Sequence, residues 1–445
     1  MADWKEKYKS KLMTAEESVT HIHSGERAVI AHALGAPVLV IEAMVANKEA
    51  YRDVEIVHML TFGGTPYVGE GMEKHFRNNS LFAGATNRNA INEGAADFTP
   101  AHFSRIPDLI RTNLKPDVLL CQVSPPDENG YVSLGLTSDY TMPAATVART
   151  IIAEVNPKCP RVFGDTFLHV SQLECMVYTE RDIISLPQTE LTDVEKAIGK
   201  NCAELVQDGD TLQLGIGAIP DSVLFFLRNK KDLGIHSEIV ADGVQYLIEH
   251  GVINGSKKTQ HVGKVVATGI YGTSNFHKFV NNHPMFELYP SDYTNDVRVI
   301  ASHDNLVSIN SCIQVDFAGE ISSDTIGTRQ YSGIGGQADF VRGANLSKGG
   351  RSIMACYSTA KNGTVSRIVP VLTPGAAVAT MREDVDYFVT EHGIAHLKGR
   401  TLYDRAKQLI GIAHPKFRDE LLDQAEKRYN RKVYLQVPEL ETRAE

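Results

Sequence analysis

Two stretches of this 445-residue chain are built alike, and that repetition constrains the fold more than any other feature. The first runs Ser24-Gly25-Glu26-Arg27-Ala28-Val29-Ile30 and then Gly35-Ala36-Pro37. The second runs Asp208-Gly209-Asp210-Thr211-Leu212-Gln213-Leu214 and then Gly215-Ile216-Gly217-Ala218-Ile219-Pro220. Each is a polar turn, a short apolar strand and a glycine-to-proline punctuation. Each follows a helical pattern opened by a capping box, Thr14 with Glu17 and Thr192 with Glu195. A duplicated unit predicts two similar halves facing each other. Only the second copy is followed by His236-Ser237-Glu238. A glycine turn beside a lone carboxylate points to a bound cofactor next to a reactive group.

Other segments extend the pattern. Val54–Val57 and Val118–Val123 read as buried strands, and Pro126-Asp127-Glu128-Asn129-Gly130 has the residue chemistry of a turn. Strands and helical patterns alternate at intervals that predict an α/β fold with largely parallel sheets, and the duplicated unit makes it two similar α/β domains facing each other. The length fits two to three domains at roughly 150 residues each. The polar stretch Glu180–Thr192, with Pro187 inside it, is the best linker, so the expected domains are 1–187 and 188–445. The second half then restarts with a helix over 193–206, a strand over 211–214, a helix from Asp221, and strands near 264–268 and 298–301. A second echo places Val123-Ser124-Pro125-Pro126-Asp127-Glu128-Asn129-Gly130 opposite Val315-Asp316-Phe317-Ala318-Gly319-Glu320.

Composition excludes several classes. No apolar run approaches the roughly 18 residues needed to span a bilayer. The N-terminus, Met-Ala-Asp-Trp-Lys-Glu-Lys, has no signal-peptide core. Six cysteines without CxxC spacing read as free thiols of a reducing cytoplasm, with neither a disulfide framework nor a zinc site. A formal charge of −9 argues against a nucleic-acid surface. It leaves room for a phosphate-bearing small molecule, which needs only local amides and a few cations.

Four motifs carry candidate chemistry. The Gly215-Ile216-Gly217 turn lets backbone N–H groups approach a ligand at a helix start, although a tight strand-to-helix connection needs the same residues. Pro220 replaces the third glycine of a dinucleotide fingerprint, no ribose-binding acid follows at the right distance, and no P-loop occurs. Glu238 sits among apolar residues at a strand end. Any one glutamate is by default a solvated surface residue, and the functional alternative is a carboxylate nucleophile. Tyr331-Ser332-Gly333-Ile334-Gly335-Gly336-Gln337 packs three glycines into four positions, which serves either a turn or a set of backbone donors aimed at an oxyanion. Lys361, before a turn in Ser358-Thr359-Ala360-Lys361-Asn362-Gly363, is a solvated hairpin lysine or a phosphate contact. His392 and His396 stand four apart beside Glu391, but Gly393 interrupts the helix that would align them, and His21 and His23 diverge; neither pair reads as a metal site.

Taken in order, Leu214–Pro220, His236-Ser237-Glu238, Ala241-Asp242-Gly243 and Gly333–Phe340 resemble the acetyl-CoA hydrolase/transferase family of class I CoA-transferases, closest to its 4-hydroxybutyrate and butyryl-CoA:acetate branch. The resemblance runs over nearly the whole chain, including Val123-Ser124-Pro125-Pro126 and Ser138-Asp139-Tyr140. It implies that Glu238 is acylated and then carries CoA. Gly215, Ile216, Gly217, Ala218, Ile219, Gly335 and Gly336 would contact CoA, Gly336 would also act at the oxyanion, Lys361 would lie near the CoA phosphates, and the active site would sit in the cleft between the two domains. Ala338 and His392 depart from the expected pattern and bear on acyl specificity.

The chemistry implied is exchange of CoA between a short acyl-CoA and a carboxylate such as acetate, with coenzyme A as substrate and covalent intermediate and no tightly bound cofactor. Such exchange is nearly thermoneutral and requires neither ATP nor metal. An acyl-CoA hydrolase with the same glutamate, and a non-catalytic sensor on the same fold, are the alternatives. The expected partners are acyl-CoA and short carboxylates, with no nucleic acid or membrane, in a cytoplasmic homo-oligomer, a dimer or larger.

Overall fold

The computed structural model describes residues 4–187 and 190–435. The expected boundary after residue 187 falls beside Gln188 and Thr189, which lie outside the described residues. Two sheets organise the chain. Across the first, the strands run Cys175–Tyr178, Thr150–Val155, Val118–Val123, Arg27–Ile30, Val54–His58, Phe76–Ser80, Asp97–Phe98, all parallel. Across the second they run Tyr387–Thr390, Arg351–Ala355, Leu306–Ser311, Thr211–Leu214, Gly234–His236, Val265–Ala267, Phe286–Leu288, again parallel. Ranked by position in the chain, the two orders are identical. The second sheet is extended at each edge: Gly393–His396 adds antiparallel to Tyr387–Thr390, and Phe163–Gly164, from the first half, adds parallel to Phe286–Leu288.

The repeat extends to individual hydrogen bonds. Gly25 N–H donates to Arg52 O at 2.9 Å, and Gly209 N–H to Lys231 O at 2.9 Å. His23 N–H donates to the Glu26 carboxylate, and Gln207 N–H to that of Asp210. The second echo behaves the same way. Asp127 Oδ1 accepts from the N–H groups of Asn129 and Tyr131, and Asp316 Oδ1 from those of Ala318 and Glu320. A short acidic side chain satisfying its own following amides is what fixes such turns. The echo therefore aligns Asp127 with Asp316.

Other readings change. Residues 298–301 are not a strand. Val297–Ala301 is helical, because the Asp296 carboxylate accepts from Arg298 N–H at 2.7 Å and caps the turn, overriding the β-branched residues. The helix expected from Asp221 begins earlier, Ala218–Phe226, since a proline in the first turn removes only an amide that has no helical acceptor. His392 and His396 belong to a β-hairpin rather than a helix, where Gly393 takes φ 139°. Among the described residues no helix is long and apolar enough to cross a membrane.

The sheets matter here for what they present at one end. In open parallel sheets the loops at the carboxyl ends of the strands form the crevice where ligands bind. Arg27 pairs with Glu55 in the first half, and Thr211 with Gly234 in the second. Counting from these pairs, Met59 occupies in the first half the place that Glu238 occupies in the second. Met59 is buried. The duplication thus supplies two scaffolds and one carboxylate.

Candidate active site

Glu238 lies in the break between the strands Gly234–His236 and Ile239–Val240. Its backbone is pinned, its carbonyl accepting from the N–H groups of Thr268 and Gly269 and from the Thr268 hydroxyl. Its side chain is half-buried and faces two donors. Asn295 Nδ2 donates to Oε2 at 2.9 Å, and the Gly336 backbone N–H also hydrogen-bonds the carboxylate. Gly336 is the N-cap of the helix Gln337–Leu346, so the carboxylate sits at a helix N-terminus.

The two glycines are required for different reasons. Gly335 adopts φ 55°, a left-handed conformation that glycine favours. Gly336 has φ −94°, open to any residue, but a Cβ there would overlap both Glu238 Oε2 and Asn295 Nδ2. It is glycine because the carboxylate occupies the space.

The first half holds this loop in place. Phe103 N–H donates to Gly335 O at 3.0 Å, and Ser104 donates through N–H and Oγ to the Asp339 carboxylate at 3.1 and 2.9 Å. The Phe82 ring lies 2.7 Å from where a Cβ on Gly333 would be. Glu238 is therefore enclosed by both halves.

Behind the strand, His236 Nε2 donates to Thr294 O at 2.8 Å, and His303 Nε2 donates to His236 Nδ1 at 3.1 Å. Burial pushes the His236 imidazole well below its usual range and His303 down to about 3. This neutral pair ties the strand to Thr294, and so fixes Asn295 against Glu238. His236 has its role here. Asn295 carries no sequence signal: it is a lone amide in the turn between the short helices Ser291–Thr294 and Val297–Ala301.

Burial pushes the Glu238 carboxyl up to about 8; Asn295 opposes the shift, the Asp339 charge adds to it, the Gly336 amide opposes it and the Asp139 charge adds a little more. The sign for stability follows. A carboxyl that holds its proton in the fold to a pH above its ordinary value stabilises the fold below pH 4.5, and that stabilisation is lost as pH rises toward about 8. We predict that Glu238→Gln, which cannot ionise, raises the melting temperature by an amount that grows between pH 4.5 and about 8 and then levels. Each kcal/mol gained is worth about 2–4 °C in a domain of this size. A melting-temperature difference constant over that range in scanning fluorimetry would refute the ionisation account.

The glycine turn lies beside this centre. Gly217 takes φ 107°, and a Cβ there would meet nothing within 4 Å, so the turn faces open space. Ile216 is exposed, Ala218 opens the helix Ala218–Phe226, and the Ile219 side chain is buried in the core, leaving only its backbone for a ligand. Ile216 and Gly217 line a cavity of about 600 Å³ that also touches Ala241, Asp242 and Tyr271. Lys361 is elsewhere, exposed at the tip of the hairpin Thr359–Ala360/Val365–Ser366 with φ 49°. It is not among the residues lining that cavity. The structure thus brings Glu238 together with Gly335 and Gly336, places Ile216 and Gly217 of the turn on the cavity that Tyr271 also lines, and leaves Lys361 at the surface.

Known proteins match the chain along most of its length. The acetyl-CoA hydrolase/transferase N-terminal domain matches residues 1–187, and the acetyl-CoA hydrolase/transferase C-terminal domain matches residues 272–425. The chain belongs to the acetyl-CoA hydrolase/transferase family. Like its family, it is an enzyme of CoA thioester chemistry. It is 55% identical over 428 residues to the 4-hydroxybutyrate coenzyme A transferase of Clostridium kluyveri, covering 96% of this chain and 100% of that protein. Two crystal structures are similar throughout. The 4-hydroxybutyrate CoA-transferase of Porphyromonas gingivalis has a TM-score of 0.84 at 42% identity, covering 96% of this chain and 100% of that one. RipA of Yersinia pestis has a TM-score of 0.91 at 36% identity, covering 96% and 99%.

Proposed function

We propose that this acetyl-CoA hydrolase/transferase family member moves CoA between a short acyl-CoA, such as 4-hydroxybutyryl- or butyryl-CoA, and a carboxylate such as acetate, through a glutamyl-CoA thioester on Glu238. The observation that carries the reading is the pair of donors, Asn295 Nδ2 and Gly336 N–H, converging on one half-buried carboxylate. A carboxylate oxygen of Glu238 attacks the thioester carbonyl, and the C–S bond breaks to leave a mixed anhydride and CoA thiolate. The thiolate then attacks the glutamyl carbonyl, expelling the first carboxylate and leaving the enzyme thioester. An acceptor carboxylate attacks that thioester, and the released thiolate takes the acceptor acyl group from the second anhydride. Each attack on the glutamyl carbonyl builds negative charge on the oxygen that these two donors face, which is where fixed donors lower a barrier.

In the same reading CoA runs along Gly215–Ile219, with Lys361 toward its phosphates. Water exclusion decides between transfer and hydrolysis, and the enclosure of Glu238 by both halves favours transfer. The test is incubation with acyl-CoA and no acceptor, followed by borohydride. Reduction of the enzyme thioester should inactivate the enzyme and change the mass of the peptide containing Ile235–Val240. Modification mapping elsewhere would refute the reading. Free-thiol release that acetate does not divert into acetyl-CoA would establish the hydrolase instead. The reading includes a homo-oligomer in the cytoplasm, and light scattering that returns the 48.9 kDa monomer mass at micromolar concentration would exclude the assembly.

A further inference from the structure

The hairpin that begins at Lys361 meets a second cation from the far end of the chain. The strand Arg351–Ala355 leads into this hairpin at its carboxyl end. That strand lies two places across the sheet from Thr211–Leu214, whose carboxyl end carries the Gly215–Gly217 turn. At about 4.8 Å per strand, the hairpin and the glycine turn leave the same edge roughly 10 Å apart. At the hairpin tip the backbone passes through Lys361 at φ 49°, Asn362 at φ 55° and Gly363 at φ 78°. A lysine in the left-handed region is uncommon, and holding it there costs free energy. The turn closes through Thr364, whose N–H and hydroxyl both donate to Lys361 O. Among the described residues the N–H groups of Asn362 and Gly363 have no acceptor.

Lys416 supplies the second cation. A Cβ on Gly363 would stand 3.8 Å from Lys416 Nζ and would meet no other group within 4 Å. The ammonium therefore lies over the tip, with open space beside it. Lys416 belongs to the helix Pro415–Tyr429, where Asp419 and Glu420 follow it by three and four residues. Among the described residues it pairs with neither, and rests instead against the Phe417 ring at 4.8 Å. Lys361 has no carboxylate partner there either. Glu391, at the base of the hairpin, is occupied by the N–H and hydroxyl of Ser358. Two lysines and two unpaired amides thus meet on one strained turn without a counter-charge. Successive backbone amides backed by cations are a receptor for an anion with several oxygens.

We infer that Lys416 joins the turn Lys361–Gly363 to form a phosphate seat, and that Lys416 is a binding residue for the nucleotide end of the CoA thioester. The inference rests on the CoA-transfer reading above and adds a residue from a separate helix to it. CoA offers two phosphate groups to such a seat, a 3′-phosphomonoester and a pyrophosphate. Lys416 acts on capture of the long donor and takes no part in the exchange at Glu238. Its loss therefore falls on the acyl-CoA half of the cycle and spares the carboxylate half.

The test measures kcat/KM for butyryl-CoA and for acetate separately in the intact enzyme. Lys416→Met should lower the first about three- to tenfold, the scale of one charged contact at an exposed site, and leave the second unchanged. A merely structural role would lower both together. Added salt should narrow the gap between wild type and variant, because exposed charges are screened. Lys416→Arg should restore most of the loss. Lys427→Met, on the same helix but paired with Asp423, is the control and should change neither constant. Butyryl-dephospho-CoA, which lacks the 3′-phosphate, identifies the group held. A loss that disappears with this donor assigns the monoester, and an undiminished loss assigns the pyrophosphate. A Lys416→Met enzyme within about twofold of wild type on butyryl-CoA, with the Glu238 adduct still forming, would overturn the seat and leave CoA transfer standing. Absence of the adduct in the wild-type enzyme would overturn both.

Discussion

Replacing Glu238 with alanine is expected to abolish CoA exchange, by at least about 10³-fold in kcat, because no other group in the site can carry the acyl and CoA groups in turn. Asn295 and Gly336 are donors, and the remaining neighbours are aromatic or already bonded. CoA binding should stay measurable, since the Gly217 turn and its cavity do not depend on the carboxylate. Glu238→Asp separates geometry from chemistry. It keeps the carboxylate but withdraws it by about one methylene, and misplacement near 1 Å costs roughly 10²-fold when reacting atoms must align. It also opens room for water beside the thioester, so residual hydrolysis should exceed residual transfer. Acceptor-dependent exchange and thiol release, measured on the same preparation, give both numbers. Wild-type exchange in Glu238→Ala would remove the basis of the functional reading.

The second large effect falls on Gly336. A methyl group is already too much there, because a Cβ would overlap the Glu238 carboxylate and the Asn295 amide at once. Gly336→Val should therefore cost about 10²-fold or more in kcat, through displaced reacting atoms and a disturbed backbone donor. Gly335→Ala is the informative control. Its Cβ would stand 3.6 Å from Glu238 Oε1, an ordinary contact, so its penalty comes from the left-handed backbone at φ 55° and should appear mainly in thermal stability. Unchanged kcat in Gly336→Val would show that the glycine merely turns the chain.

The architecture was legible because its signals are local and repeated. Gly25-Glu26 and Gly209-Asp210 make the same turn with the same amide partners, so two copies of one short pattern betrayed two copies of a domain. Residues 297–301 were not legible by propensity, since a capping aspartate outweighed the valines and isoleucine that suggested a strand. Within the site, glycines and an isolated glutamate announced themselves by rarity of context. Asn295 did not, because its role depends on a contact with Glu238 at a sequence separation of 57 residues. Only folding brings such partners within reach, and a single asparagine looks the same in a turn anywhere.

The strand Phe163–Gly164 has consequences for how the enzyme can breathe. It leaves the first half to complete the second sheet, and Asp165 N–H donates to Leu288 O at 2.8 Å just beyond it. Ile270 N–H to Leu136 O and Leu186 N–H to Gly272 O add further backbone stitches across the same seam. A clamshell opening would have to tear these ladder bonds and bare a raw sheet edge, a surface that invites aggregation. Any separation of the two halves along this seam is thereby coupled to the loss of these backbone bonds. For the same reason, severing the chain near its midpoint would yield no freely standing catalytic module, since the fragment bearing the nucleophile would lack its outermost parallel strand.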